Sequence, residues 1–221
     1  MGSQTAVLSL QNGVKSEDLL CDILGTDHVM AGVAEISSLI VAPGHLRKVS
    51  SFQRIRYGEL DNRQSTRASV LGRALQKAGV EIDHAADIAA AKWNKFILFT
   101  GLSAMTALTR MTVGAVRNDP DTRELLQEVM LEAFRVARAQ GVRLDDDTVA
   151  RRMAFVDTID PDVRASMALD LERGRRLELP WLSGAVVRFG AETGVPTPVK
   201  QFVNAALKMH QNGNRGVPAG P

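Results

Sequence analysis

Cysteine is nearly missing from the 221 residues: Cys21 stands alone, so no intrachain disulfide can form and a secreted, disulfide-stapled scaffold is excluded. Long apolar runs are lacking as well. The most hydrophobic stretch, FILFTGLSAMTAL from Phe96 to Leu108, is broken by Thr, Gly and Ser and falls short of the roughly 20 residues a bilayer span needs. It reads as a buried helix, and no membrane partner is expected. The amino terminus MGSQTAVLSL has neither a basic region nor a long apolar core, so it is not read as a signal peptide. Ala6 stands where an N-myristoylation pattern requires Ser or Thr. A cytoplasmic location is the expectation. Excess charge of one sign is absent too: 27 Lys and Arg against 25 Asp and Glu leave a formal charge of +2, and the basic residues are scattered, which argues against a nucleic-acid partner. The four histidines, His28, His45, His84 and His210, are far apart and show no ligand spacing, so no metal is placed. No G-x-S-x-G occurs and Cys21 has no base near it in sequence, which leaves hydrolase chemistry without a foothold.

What is present is an ordinary globular composition, 45% apolar and 24% charged, on a chain long enough for one large domain or two small ones. Up to about residue 85 strand and helix signals alternate. TAVLSL is a short β-rich run that breaks at Gln11, Asn12 and Gly13 into SEDLLCDIL, which has helical spacing. A strand that turns through Asn-Gly into a helix is the kind of corner where α/β proteins hold a ligand. VMAGVAEISSLIV, HLRKVS and QRIRYGEL follow as strands, with a turn at Pro43-Gly44; then come the helix STRASVLGRALQKAG, closed by Gly79, and the strand VEIDHA. After Asp87, a candidate N-cap, helical periodicity takes over. Asp119-Pro120 marks a further helix start, and Leu125, Val129 and Ala133, beside Leu126, Met130, Phe134 and Ala137, draw an apolar stripe ending near Gly141. Helices are also predicted over DDDTVARRMAFV, DVRASMALDLERG, LSGAVVRFGAETG and PVKQFVNAALKMH, followed by a fraying tail, NGNRGVPAGP.

Two groups of residues carry candidate chemistry. Lys95, Phe99 and Ser103 fall at i, i+4 and i+8 of one helix and share a face, which sets a cation in an otherwise apolar segment. Lys95 is either a snorkelling side chain at a helix end or a partly desolvated ammonium able to donate a proton. In ASMALDLERGRRLELPWLSG, Ser166 and Asp170 are one turn apart, Gly174 ends the helix, and Glu178 sits between Leu177 and Leu179 in the connection that follows. Taken alone, Glu178 is a surface glutamate with a solvated head.

In order along the chain, LQNGV, a G-x-V at Gly32, P-G-H-L, Y-G-E-L, KWNKF, ASMALDLERGRRLELPWLSG and GVPTP resemble the ketopantoate reductase family, from Val7 to about Met209. The resemblance implies an α/β region followed by an all-α one. Residues 1–85 would be the carboxyl-terminal part of a Rossmann-type NADP-binding domain. Residues 86–212 would be a helical substrate domain like the carboxyl-terminal domain of 6-phosphogluconate dehydrogenase, and 213–221 a flexible tail. It implies reduction of a 2-oxo acid, 2-dehydropantoate or a related compound, to the 2-hydroxy acid by NADPH, in a cleft between the domains of a homodimer. Residue by residue, Asn12, with Gly13, matches the position beside the nicotinamide and its ribose. Lys95 matches the lysine that polarises the ketone and supplies the proton, Ser166 the serine that holds the substrate carboxylate, and Glu178 the glutamate that completes the polar site. A ketone accepting hydride becomes an alkoxide, so a positioned cation and proton donor are what the chemistry needs.

The chain departs from the family pattern at two points. Phe99 and Ser103 stand where the family commonly has asparagines; Ser103 can still donate a hydrogen bond and Phe99 cannot. A more apolar or aromatic 2-oxo acid follows as the expectation. No G-x-G-x-x-G occurs, and the resemblance would place that phosphate-binding loop ahead of Met1. Its absence implies an unpaired strand edge and uncovered apolar faces, which dimerisation or rearrangement would hide. Three readings follow: a shortened reductase that binds NADPH poorly or not at all, one half of a split reductase, or a non-catalytic helical module for dimerisation or partner binding.

Overall fold

A computed structural model describes residues 1–2, 5–36, 38–48 and 53–213. It divides into two compact units, Met1–Lys92 and Trp93–Pro221. Of the tail expected to fray, 212–221, Asn212 and Gly213 are described as part of a turn, with Gly213 N donating to His210 O at 2.9 Å, and residues 214–221 lie outside the described ones, as does the end of HLRKVS.

In the first unit the described strands form a four-stranded sheet of order β1 (Val7–Ser9), β2 (Val29–Glu35), β5 (Arg54–Glu59) and β6 (Glu81–His84). β1 runs parallel to β2 with Val7 opposite Val29, β2 antiparallel to β5 with Met30 opposite Glu59, and β5 parallel to β6 with Arg54 opposite Glu81. Alternation along β2 explains why the sheet is covered on both faces. Met30 joins Tyr57 and Ala68, packing under α2 (Thr66–Lys77); Ala31 and Val33 point the other way, onto Ala85 and Ile88. β3 (Ser38–Ala42) and β4 (His45–Lys48) form a separate hairpin through the Pro43-Gly44 turn. The glutamate of Y-G-E-L, Glu59, is buried at 2% exposure. Its carboxylate accepts from Ser65 and Arg67, and the Arg67 hydrogen bond holds it below the usual carboxylate range.

α1 (Ser16–Leu24) coincides with SEDLLCDIL. Asp87 caps the next helix as expected, its carboxylate accepting from Ala90 N at 3.0 Å. That helix, α3 (Ile88–Thr109), contains the apolar stretch 96–108 and buries Phe96, Ile97, Ala104 and Met105.

The second unit is helical: α4 (Val113–Asn118), α5 (Pro120–Ala139), α6 (Thr148–Thr158), α7 (Ser166–Glu172), a 3-10 turn at Leu179–Trp181, α8 (Ser183–Thr193) and α9 (Pro198–Lys208). Asp119 caps α5 by accepting from Thr122 N at 2.9 Å, with Pro120 at the first helical position. The stripe of α5 differs from expectation at its edges. Leu125 is 42% exposed and Phe134 half-buried, while Val136 is fully buried with Leu126, Val129, Met130, Ala133 and Ala137. The helix predicted from Asp162 begins only at Ser166. Residues ahead of it serve α4 instead: the carbonyls of Pro161 and Val163 accept from Gly114 N (2.9 Å) and Val113 N (2.8 Å), two amides that a helix start leaves without partners.

Candidate active site

The strand-to-helix corner of the first unit lies between Ser9, where β1 ends, and Ser16, where α1 begins. Gly13 sits at φ +98°, a conformation that side chains with a β-carbon rarely adopt, so the Asn-Gly pair makes this turn at little steric cost. Asn12 is exposed and Gly13 half-buried. The first turn of α1 carries Glu17 and Asp18. A helix start favours a phosphate through its free amides and positive dipole end, and the exposed Asp18 carboxylate there opposes it. Asn12 is therefore open to a ligand at this corner, while the start of α1 is a poor seat for a phosphate.

In the second unit, α3 presents the lysine stripe. At about 100° per residue, Lys95, Phe99, Ser103 and Thr106 fall within roughly 80° of one another. The Lys95 ammonium stands 5.7 Å from the centroid of the Phe99 ring, within range of a cation–π attraction. Both residues are half-buried. Ser103 has no exposed surface, and its hydroxyl makes no hydrogen bond among the described residues. It lies behind the accessible part of the stripe. Thr106 Oγ1 donates to Leu102 O at 2.7 Å and accepts from Ala165 N at 3.3 Å, which brings Ser166, the exposed first residue of α7, beside α3. Glu178 is half-buried just before the 3-10 turn; its carbonyl accepts from Trp181 N (2.9 Å) and Leu182 N (3.1 Å), which fixes the backbone that carries the carboxylate. Ahead of Lys95, Trp93 packs edge-on against Phe96 at 5.3 Å and tilted against Phe189 at 6.1 Å, anchoring the start of W-N-K-F to α8.

Of the sequence candidates, the structure thus joins Lys95 to Phe99 directly, sets Ser103 on the same stripe, and links Ser166 to α3 through its neighbour. Asn12 and Gly13 belong to the first unit. Among the described residues no three His, Cys, Asp or Glu side chains are grouped to hold a metal, and no helix is long and apolar enough to cross a membrane.

Sequence reasoning missed the buried polar groups. Lys200 on α9 is fully buried and donates to Thr100 O (3.0 Å) and Thr100 Oγ1 (2.8 Å). Burial lowers its pKa to about 7, against the opposing attraction of Glu132. Glu132, also fully buried, accepts from the amides of Val199 and Lys200 at 2.8 Å; burial pushes its carboxyl up, and those amides draw it back. The signal was available, because Lys200, Val203 and Leu207 stand at i, i+3 and i+7, which puts the lysine on the core face. Glu17 and Lys92 form a second buried pair, with no comparable local signal because the partners are far apart in sequence.

Comparison with known proteins sets this geometry in a family. Residues 87–211 match the family described as Ketopantoate reductase PanE/ApbA C terminal, and residues 1–62 match Ketopantoate reductase PanE/ApbA. The chain belongs to the ketopantoate reductase family. A 2-dehydropantoate 2-reductase of Archaeoglobus fulgidus is 31% identical over 208 residues, which cover 94% of this chain and 68% of that protein. The crystal structure of a PanE/ApbA family ketopantoate reductase from Ralstonia eutropha JMP134 superposes with a TM-score of 0.85 at 30% identity, covering 96% of this chain and 68% of the other. D-mandelate dehydrogenase, solved with NADH and anilino(oxo)acetate, gives a TM-score of 0.85 at 19% identity over 96% of this chain and 68% of its own, and this likeness speaks for the fold alone. Family membership accounts for the α/β region followed by helices, and makes the chain a relative of oxidoreductases that act on 2-oxo acids.

Proposed function

We propose that the chain reduces a 2-oxo acid to the 2-hydroxy acid with NADPH, and that its preferred substrate has a more apolar or aromatic side chain than 2-dehydropantoate. NADPH supplies the hydride when bound. Lys95 holds the ketone oxygen by a charge-assisted hydrogen bond and gives it a proton as negative charge develops there. Ser166 donates to the substrate carboxylate, Glu178 completes the polar site, and Asn12, with Gly13, meets the nicotinamide end of the cofactor. Ser103 supports the stripe from within. The observation that carries this reading is the Lys95–Phe99 contact: an ammonium steadied over a ring that offers substrate an apolar surface and no hydrogen bond.

Turnover of 2-dehydropantoate against phenylpyruvate tests it. Phe99→Asn should move the ratio of kcat/KM values toward 2-dehydropantoate by about tenfold. Lys95→Met should lower kcat by about 10²–10⁴-fold for either substrate. A Lys95→Met chain that turns over like the parent would sink the assignment. Titration with NADPH, followed by nicotinamide fluorescence, should show weak binding, because the corner suits one end of the dinucleotide only. A homodimer belongs to the same proposal. Trp181, Phe202 and Met209, at 46%, 63% and 89% exposure, leave large apolar side chains on the second unit for a partner to cover.

A further inference from the structure

A line of hydrogen-bonded polar groups, three of them buried, runs from the Asn12-Gly13 corner and ends on α3. Gln11 N donates to Ser9 Oγ at 3.4 Å, Ser9 Oγ to Ser16 Oγ at 3.1 Å, and Ser16 Oγ to Glu17 Oε2 at 3.1 Å. The Lys92 ammonium closes the line with a hydrogen bond to the same Glu17 oxygen. Ser9, Glu17 and Lys92 are 6%, 5% and 7% exposed. Three such side chains are rarely buried together without a reason, since each gives up water and the charged pair gives up most. The arrangement spans the corner from both sides: Ser9 is the last residue of β1, Ser16 and Glu17 open α1, and the loop between them carries Asn12 and Gly13. Among the described residues Glu17 Oε1 is buried without a hydrogen bond, so Oε2 carries the pair and Lys92 compensates the charge.

We propose that Glu17 and Lys92 are positioning residues for the cofactor corner: their ion pair, passed through Ser16 and Ser9, fixes the loop of Gln11, Asn12 and Gly13 to the first turns of α3. The proposal rests on the reading of that corner as the nicotinamide site. Neither residue touches the reacting atoms. Both act by holding Asn12 at one place and in one orientation. A buried ion pair suits the task because it has one geometry; an apolar pair of similar size would fill the space and leave the loop's polar groups without an anchor.

Hydrogen exchange on the full chain tests the anchoring without any cofactor. Lys92→Met should speed exchange in a peptide covering residues 10–16 by about tenfold or more, leave a peptide within α5 unchanged, and be restored by Lys92→Arg, which keeps a cation at the site. Glu17→Gln, which keeps shape and hydrogen bonding while removing the charge, should act in the same direction and serves if Lys92→Met does not fold. In turnover assays both variants should raise KM for NADPH several-fold while KM for the oxo acid stays within about twofold. Unchanged exchange at residues 10–16 in both variants would overturn the anchoring. If the anchoring holds but the parent chain binds no nicotinamide nucleotide, the fault lies with the proposed function and the positioning role of the pair stands.

Discussion

Lys200 carries its ammonium where no water reaches it, between Thr100 on α3 and Glu132 on α5, with Glu128 the further carboxylate acting on that site. Its pKa of about 7 in the folded chain lies below the ordinary 10.5, so between those values the unfolded chain binds more protons than the native one. Stability contributed by this group therefore grows as pH rises through that window and is flat below it. Glu132, pushed up, works in the opposite sense in the acid range just above 4.5. Measured by denaturant unfolding, the stability of the parent relative to Lys200→Met should rise with pH by about 1 kcal/mol per unit between neutral pH and the upper end of the window. Ser103 makes a different residue-scale prediction. Its hydroxyl is buried and makes no hydrogen bond among the described residues, so Ser103→Ala should be neutral or stabilising by about 1 kcal/mol. A clear loss of stability would reveal a hydrogen bond that the described residues do not supply. Spacing alone could put Lys95, Phe99 and Ser103 on one helical face, but how deeply each is buried depends on neighbours far away in sequence.

At the scale of elements, local chemistry made the boundaries readable where a cap or a breaker is present. α1 and the start of α5 were legible because Asn-Gly and Asp-Pro act within a few residues, and Asp119→Ala should cost about 1 kcal/mol in thermal or denaturant unfolding by removing the Thr122 cap. α4 was not legible, since its first amides are satisfied by Pro161 and Val163 some fifty residues on, an arrangement no local pattern encodes. The same long-range demand shortened α7. Close packing between α8 and the segment leading into α9 gives a further test. A β-carbon at Gly190 would stand 2.7 Å from Val195 O and Thr197 Cγ2, so Gly190→Ala should destabilise by about 1–3 kcal/mol. A well-folded variant of parental stability would mean that this connection yields more readily than its hydrogen bond from Val195 N to Gly190 O suggests.

For the whole molecule, the two compact units are built on different principles: a sheet covered on both faces, and helices packed around α5. The proposed homodimer makes an expectation at this scale. Light scattering should give twice the monomer mass of 23.9 kDa at micromolar concentration, and the unfolding temperature should rise with protein concentration, because association stabilises the folded state by mass action. A concentration-independent monomer would refute it.

Composition and periodicity by themselves determined the α/β-then-helical order, the positions of caps and turns, the lone cysteine's exclusion of disulfides and the stripe that carries Lys95. Those features depend on residues within a turn or two of each other, where spacing is geometry. Only the tertiary structure decided that Lys200 and Glu132 are buried together, that Glu17 meets Lys92, and that Ser103 is sealed off while Ser166 is open. Burial and pairing are properties of what the rest of the chain brings alongside, and a one-dimensional pattern holds no record of that.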